Sequence, residues 1–121
     1  MTHTAQADQP RRLLAEHRLV DGVRVVTLRG EIDHDEKDQL STALLGEGET
    51  APARIVADLS EVTFLDSSGI NIFVAAYQQV SSIGGWVRIA GAGESVLRVL
   101  QLVGVDTIIA CHPTAEQALT A

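Results

Sequence analysis

Aromatic side chains are scarce in this chain: two Phe, one Trp and one Tyr among 121 residues. Hydrophobic residues nevertheless make up 45%, which excludes wholesale disorder and means that a core has to be built from Val, Leu, Ile and Ala. That length supplies one core and one domain. Cysteine is nearly absent. Cys111 stands alone, so no intrachain disulfide can form, and its neighbours Ile108, Ile109 and Ala110 mark it as a buried or half-buried thiol in a reducing compartment. Basic residues are outnumbered, 9 against 16 acidic, for a net charge of -7. That balance argues against non-specific binding to nucleic acid or to anionic membranes, and fits a partner with a basic surface. No stretch approaches the roughly 18 apolar residues of a membrane helix. Met1 to Pro10 is polar and lacks the apolar segment of a secretory signal. The expectation is a cytoplasmic protein.

Motifs of the common enzyme classes are missing too. There is no G-x-x-x-x-G-K-S/T loop for an NTPase. Leu65-Asp66-Ser67-Ser68-Gly69 lacks the first glycine of a hydrolase nucleophile elbow. Gly91-Ala92-Gly93 is too short for a dinucleotide fingerprint. His34 lies between Asp33 and Asp35 on one loop, and His112 sits beside Cys111 without a second cluster, so neither reads as a metal site. We expect no cofactor, no metal and no enzyme, but a binding module.

Along the chain, residues 1–12 read as a flexible lead-in to a domain over 13–121. Leu13 to Leu19 is a first strand and Asp21-Gly22 a hairpin turn. A second strand starts at Val23, apolar enough to be covered on both faces, and ends at Gly30. Asp33 and Glu36 have capping-box spacing, with Asp35 an alternative cap, before a helix carrying Leu40, Ala43, Leu44 and Leu45. Gly46 to Pro52 is a loop, and Ile55 to Leu59 a third strand. A central helix over 68–82 places Ile70, Phe73, Val74, Tyr77 and Ser81 on one face and stops at Gly84-Gly85. Trp86 to Ala90 is a fourth strand. Glu94 to Val103 is a helix with Val96, Leu97, Leu100 and Val103 inward, closed by Gly104. Thr107 to Cys111 is a last strand, and Thr114 with Gln117 caps a terminal helix. Strands alternating with helices imply an α/β domain with a mixed, mostly parallel sheet of four to five strands and an N-terminal β-hairpin.

The densest chemistry lies at the junction of the third strand and the central helix, Asp66-Ser67-Ser68-Gly69. Backbone N–H groups at a helix start lack partners and the helix dipole favours negative charge there, so a serine hydroxyl in that place is either a cap or an acceptor of phosphate. Asp66 caps the helix or polarises the site. Ser68 faces the first turn. Gly69 admits the close approach of a partner backbone or phosphate.

Two segments then resemble one family. Arg29-Gly30-Glu31-Ile32-Asp33-His34 is similar to a Gly-Glu-(Leu/Ile)-Asp segment after the second strand. Val56 to Ile70, with Asp58-Leu59, Val62, Phe64-Leu65 and Asp66-Ser67-Ser68-Gly69, resembles the signature of anti-sigma factor antagonists, which have the STAS fold. Ile83-Gly84-Gly85 adds a third match. The likeness spans about residues 13 to 120. It implies that an anti-sigma factor that is also a serine kinase phosphorylates Ser67. The unphosphorylated antagonist binds that factor and frees the sigma factor, and a PP2C-type phosphatase resets the switch. It implies a docking surface of Asp33, Asp66, Ser67, Ser68 and Gly69, with Asp33 near Ser67 or its partner rather than only a cap. It implies a monomer acting on the kinase. The alternative is a non-catalytic STAS scaffold or nucleotide-sensing subunit of a stress-signalling or transport assembly, which needs no hydroxyl at position 67.

Overall fold

The computed structural model describes residues 13–46 and 54–121. The expected flexible lead-in over 1–12 and most of the expected loop up to Pro52 lie outside the described residues.

Strands β1 (Leu14–Val20) and β2 (Val23–Ile32) form an antiparallel hairpin. Its two-residue turn has positive φ at Asp21 (51°) and Gly22 (81°), the type I′ geometry that matches strand twist. β2 does not end at Gly30. It runs on to Ile32, because the glycine takes φ 101° at a register shift against the next strand, a bulge that bends pairing without ending it. The 3-10 turn His34–Glu36 leads into α1 (Lys37–Leu45). Asp33 caps that turn, whereas Glu36 stands at the N-cap of α1 and makes no side-chain cap bond, so neither the reciprocal arm of a capping box nor an Asp35 cap forms.

β3 (Arg54–Leu65) is far longer than expected. In its second half Val62 and Leu65 are buried while Ser60, Glu61, Thr63 and Phe64 are exposed, a half-covered extension whose alternation is broken by the register shifts against β2. α2 (Ser67–Ser81) follows, with Ile70, Phe73, Ala76 and Val80 inward. Val74 and Tyr77 flank that stripe, while Ser81 is exposed, not inward. Gly84 takes φ 82°, and the Gly85 N–H donates to Val80 O at 2.8 Å, closing the helix as expected.

β4 (Trp86–Ala90) and α3 (Glu94–Leu102) come next. Val96 and Leu100 are buried and Leu97 half-buried, but Val103 lies outside the helix and is 55% exposed. The last strand is displaced from its expected place. Val105–Thr107 is a 3-10 turn whose Thr107 N–H and hydroxyl both bond Gly104 O, and only Ala110–His112 forms β5. Cys111 is half-buried. Burial, with the charge of Asp106 adding to it, pushes its thiol above the ordinary range, so it stays protonated at neutral pH and fills space as a small hydrophobe. Thr114 caps α4 (Ala115–Thr120), accepting from Gln117 N–H at 3.1 Å.

The five strands lie in the order β1-β2-β3-β4-β5. β1 pairs antiparallel with β2, and the remaining pairings are parallel. The sheet is therefore mixed, as expected. One face packs Val26, Leu28, Ile55, Ala57, Leu59 and Ile89 against α1, α2 and α3. The other buries Val23, Val25, Val56 and Ala90 under Ala118 of α4. Both faces of β2 are thus partly covered, which explains its almost unbroken apolar run. Two arginines tie helices to the sheet: Arg24 donates twice to Ala43 O of α1, and Arg88, stacked 3.6 Å from the Trp86 ring centroid, donates to Ala118 O of α4.

Candidate functional site

β2 and β3 are parallel neighbours, so they deliver their C-terminal ends to one corner of the sheet. Ile32 and Leu65 pair there, and each is followed by an aspartate. Both aspartates have extended backbone and both turn the chain into a helical segment. Asp33 Oδ1 accepts from Asp35 N–H at 3.0 Å. Asp66 Oδ1 accepts from Ser68 N–H at 2.9 Å and from Gly69 N–H at 3.2 Å. The Asp66 N–H in turn donates to Ile32 O at 3.1 Å. The two turns are therefore held side by side by strand pairing, not by their own sequences.

Of the residues expected at the site, Asp33, Asp66, Ser67, Ser68 and Gly69 all gather at this corner. The cap of α2 is Asp66; Ser67 is the first helical residue. Ser67 is exposed, and its hydroxyl forms no hydrogen bond with any other described residue. A capping role would have occupied it, and Asp66 has released it from that role. Asp33 is not bonded to Ser67, since its carboxylate oxygen serves its own turn. Gly69 is required from within the molecule. A Cβ there would stand 2.6 Å from both Ile32 Cγ2 and Leu65 Cδ1, so the glycine lets α2 start directly on the strand ends.

Two features escaped the sequence. His34 Nδ1 lies 3.3 Å from Ser68 Oγ, linking the Asp33 turn to the start of α2. Its flanking aspartates do not make it a metal site, and nothing in local spacing signals a contact across 34 residues. Phe64, two residues before Asp66, is 47% exposed. It presents an aromatic ring on the strand that delivers the site, beyond Leu59, where the expected strand ended.

The electrostatics are one-sided. Asp33, Asp35, Glu36 and Asp66 crowd these turns, and no Lys or Arg among the described residues forms an ion pair with any of them. Two of the first α2 N–H groups that would solvate an added anion, those of Ser68 and Gly69, are already spent on Asp66. A phosphate on Ser67 would therefore meet mainly repulsion, less offset by the helix start than the bare sequence suggested.

A family model described as the STAS domain matches residues 15–118. The chain belongs to the STAS domain family. Among its STAS relatives, the anti-sigma F factor antagonist of Paenibacillus polymyxa is 29% identical over 103 residues, covering 82% of this chain and 86% of the relative. The anti-sigma-F factor antagonist RsfB of Mycobacterium tuberculosis is 32% identical over 109 residues, covering 88% and 84%. The crystal structure of an anti-sigma factor antagonist from Mycobacterium paratuberculosis superposes with a TM-score of 0.76 at 30% identity, covering 92% of this chain and 94% of that one. The five-stranded sheet is thus a STAS sheet. No helix among the described residues is long and apolar enough to cross a membrane.

Proposed function

We propose that this STAS protein is an anti-sigma factor antagonist whose binding is switched by phosphorylation of Ser67. Unphosphorylated, it docks on an anti-sigma factor that is also a serine kinase, one copy of the chain to each partner site, and so releases the sigma factor in the cytoplasm. The kinase holds the ATP. The Ser67 oxygen attacks the γ-phosphorus, the bond to the β-phosphate oxygen breaks to leave ADP, and the hydroxyl proton passes to the kinase. A PP2C-type phosphatase hydrolyses the phosphoester and restores the binding form. The protein acts by binding and carries no catalysis of its own.

The observation that carries this reading is the exposed, unengaged hydroxyl of Ser67 beside a carboxylate that already caps the helix. Capping fixes the backbone of the acceptor while leaving its oxygen accessible. Asp33, Ser68 and the exposed ring of Phe64 extend the docking surface around it, and Gly69 supports it from beneath. Aromatic side chains are frequent binding anchors, and the acidic rim suits a basic partner. Phosphorylation adds about 1.5 to 2 negative charges to this rim and breaks docking by charge and bulk without refolding the domain.

The test is mass spectrometry after incubation with ATP and host lysate under phosphatase inhibition. One phosphate on Ser67, absent from Ser67→Ala, is expected. Ser67→Ala should retain partner binding in a pull-down and Ser67→Asp should weaken it. Partner binding by Ser67→Asp as tight as wild type would overturn the switch.

A further inference from the structure

β1 stands at the edge of the sheet, paired among the described residues with β2 alone. Leu14 to Leu19 are all exposed, with Leu14 at 56% and Leu19 at 75%. Edge strands are usually protected from a second chain by Pro, bulges or repelling charge. β1 has no Pro, and its register with β2 is unbroken.

The hairpin determines what this edge offers. A two-residue turn closes on a hydrogen-bonded pair, here Val20 and Val23, and bonded and non-bonded pairs alternate from there. Ala15, His17 and Leu19 therefore turn their N–H and C=O groups away from β2, towards the open edge. A two-fold antiparallel pairing has to match these outward residues with one another. Centred on residue 16 it sets Glu16 against Glu16, and centred on residue 18 it sets Arg18 against Arg18. Like charges directly opposite are unfavourable. Centred on His17, the self-pair is His17 with His17, and it sets Glu16 against Arg18 twice, Ala15 against Leu19 twice and Leu14 against Val20 twice. The Glu16 and Arg18 charges are complementary, and both exposed leucines gain an apolar neighbour.

We propose that the free chain forms a homodimer by antiparallel pairing of β1 with β1 about His17, joining two sheets into one. Arg18 forms no ion pair among the described residues, whereas Glu16 lies 3.1 Å from Arg29, which also reaches Glu61 at 3.3 Å. Arg18 of the partner subunit completes an alternating row with Glu16, Arg29 and Glu61. None of Asp33, Asp66, Ser67 or Ser68 lies on β1, so this surface is separate from the proposed docking corner.

The test is sedimentation velocity of the full chain from micromolar to near-millimolar concentration. A dimer fraction that rises with concentration is expected. Arg18→Glu, which breaks no ion pair within the described chain, should weaken association about tenfold by placing like charges opposite each other in both pairs. Glu16→Arg should weaken it as well, with circular dichroism confirming that the fold survives loss of the Arg29 bridge. Mixing the two single variants restores opposite charges in both cross-strand pairs and should restore association as a mixed dimer. A monomer at every concentration would overturn the proposal. So would a dimer that Arg18→Glu leaves unchanged, or two folded variants that stay apart on mixing.

Discussion

Asp66 and Asp33 perform the same local task on adjacent turns, yet only Asp66 holds two helical N–H groups at once. The start of α2 should therefore depend on its carboxylate. We expect Asp66→Ala to lower stability by about 1 kcal/mol, the usual value of a lost N-cap, and Asp66→Asn to lose much less, because the amide oxygen can still accept. Urea unfolding of the three proteins measures this directly. If both variants lost the same amount, charge and not capping would be the main contribution of the residue. The sequence named Asp66, Ser67 and Ser68 correctly as a helix start, because such signals are local. It could not assign cap and acceptor between them: that distinction depends on which residue keeps extended backbone, and the Asp66 N–H bond to Ile32 O holds it so. His34 was illegible for a related reason, as its contact with Ser68 exists only once two distant turns are juxtaposed.

The elements were legible wherever a period or a punctuating residue stood alone. The hairpin was clear from Asp21-Gly22, β4 from its apolar run, and α2 from its glycine stop. They were obscured where one signal had two meanings. Gly30 resembles a strand end, but in a paired strand it accommodates a bulge. The second half of β3 is polar where it is uncovered and its period is broken by register shifts against β2, so the expected strand stopped at Leu59. Ile109 is buried between the 3-10 turn and β5, its N–H bonded to Val105 O and not to a strand, and this displaced the expected β5. The start of α2 is the place where element packing can be tested. Gly69→Ala puts a methyl group against Ile32 and Leu65, and overpacking of this kind should cost about 1 to 3 kcal/mol. Thermal unfolding checks it. A neutral substitution would mean that α2 can move off the strand ends without loss.

For the whole molecule, the sheet joins near and distant parts of the chain in different ways. The β1–β2 hairpin closes over two residues, while the β2–β3 pairing waits for α1 to cross over. Contacts distant in sequence carry the larger loop-closure cost and form later in folding. The Ser67 corner belongs to the late class, because its histidine and its second serine are 34 residues apart. A peptide spanning the end of β3 and the first turns of α2 holds every residue of the serine motif but none of the Asp33 turn. We expect the cognate kinase to phosphorylate such a peptide at least about tenfold more slowly than the folded protein, equivalent to about 1.4 kcal/mol. Steady-state phosphate incorporation on the two substrates decides it; equal rates would show that the linear motif suffices. If the folded protein is the better substrate, the bond between Asp66 N–H and Ile32 O gives the switch a check on folding. Under the proposed switch, a chain in which β2 and β3 have not met would be a poorer kinase substrate than a finished molecule, so the phosphorylated pool would report mainly folded copies.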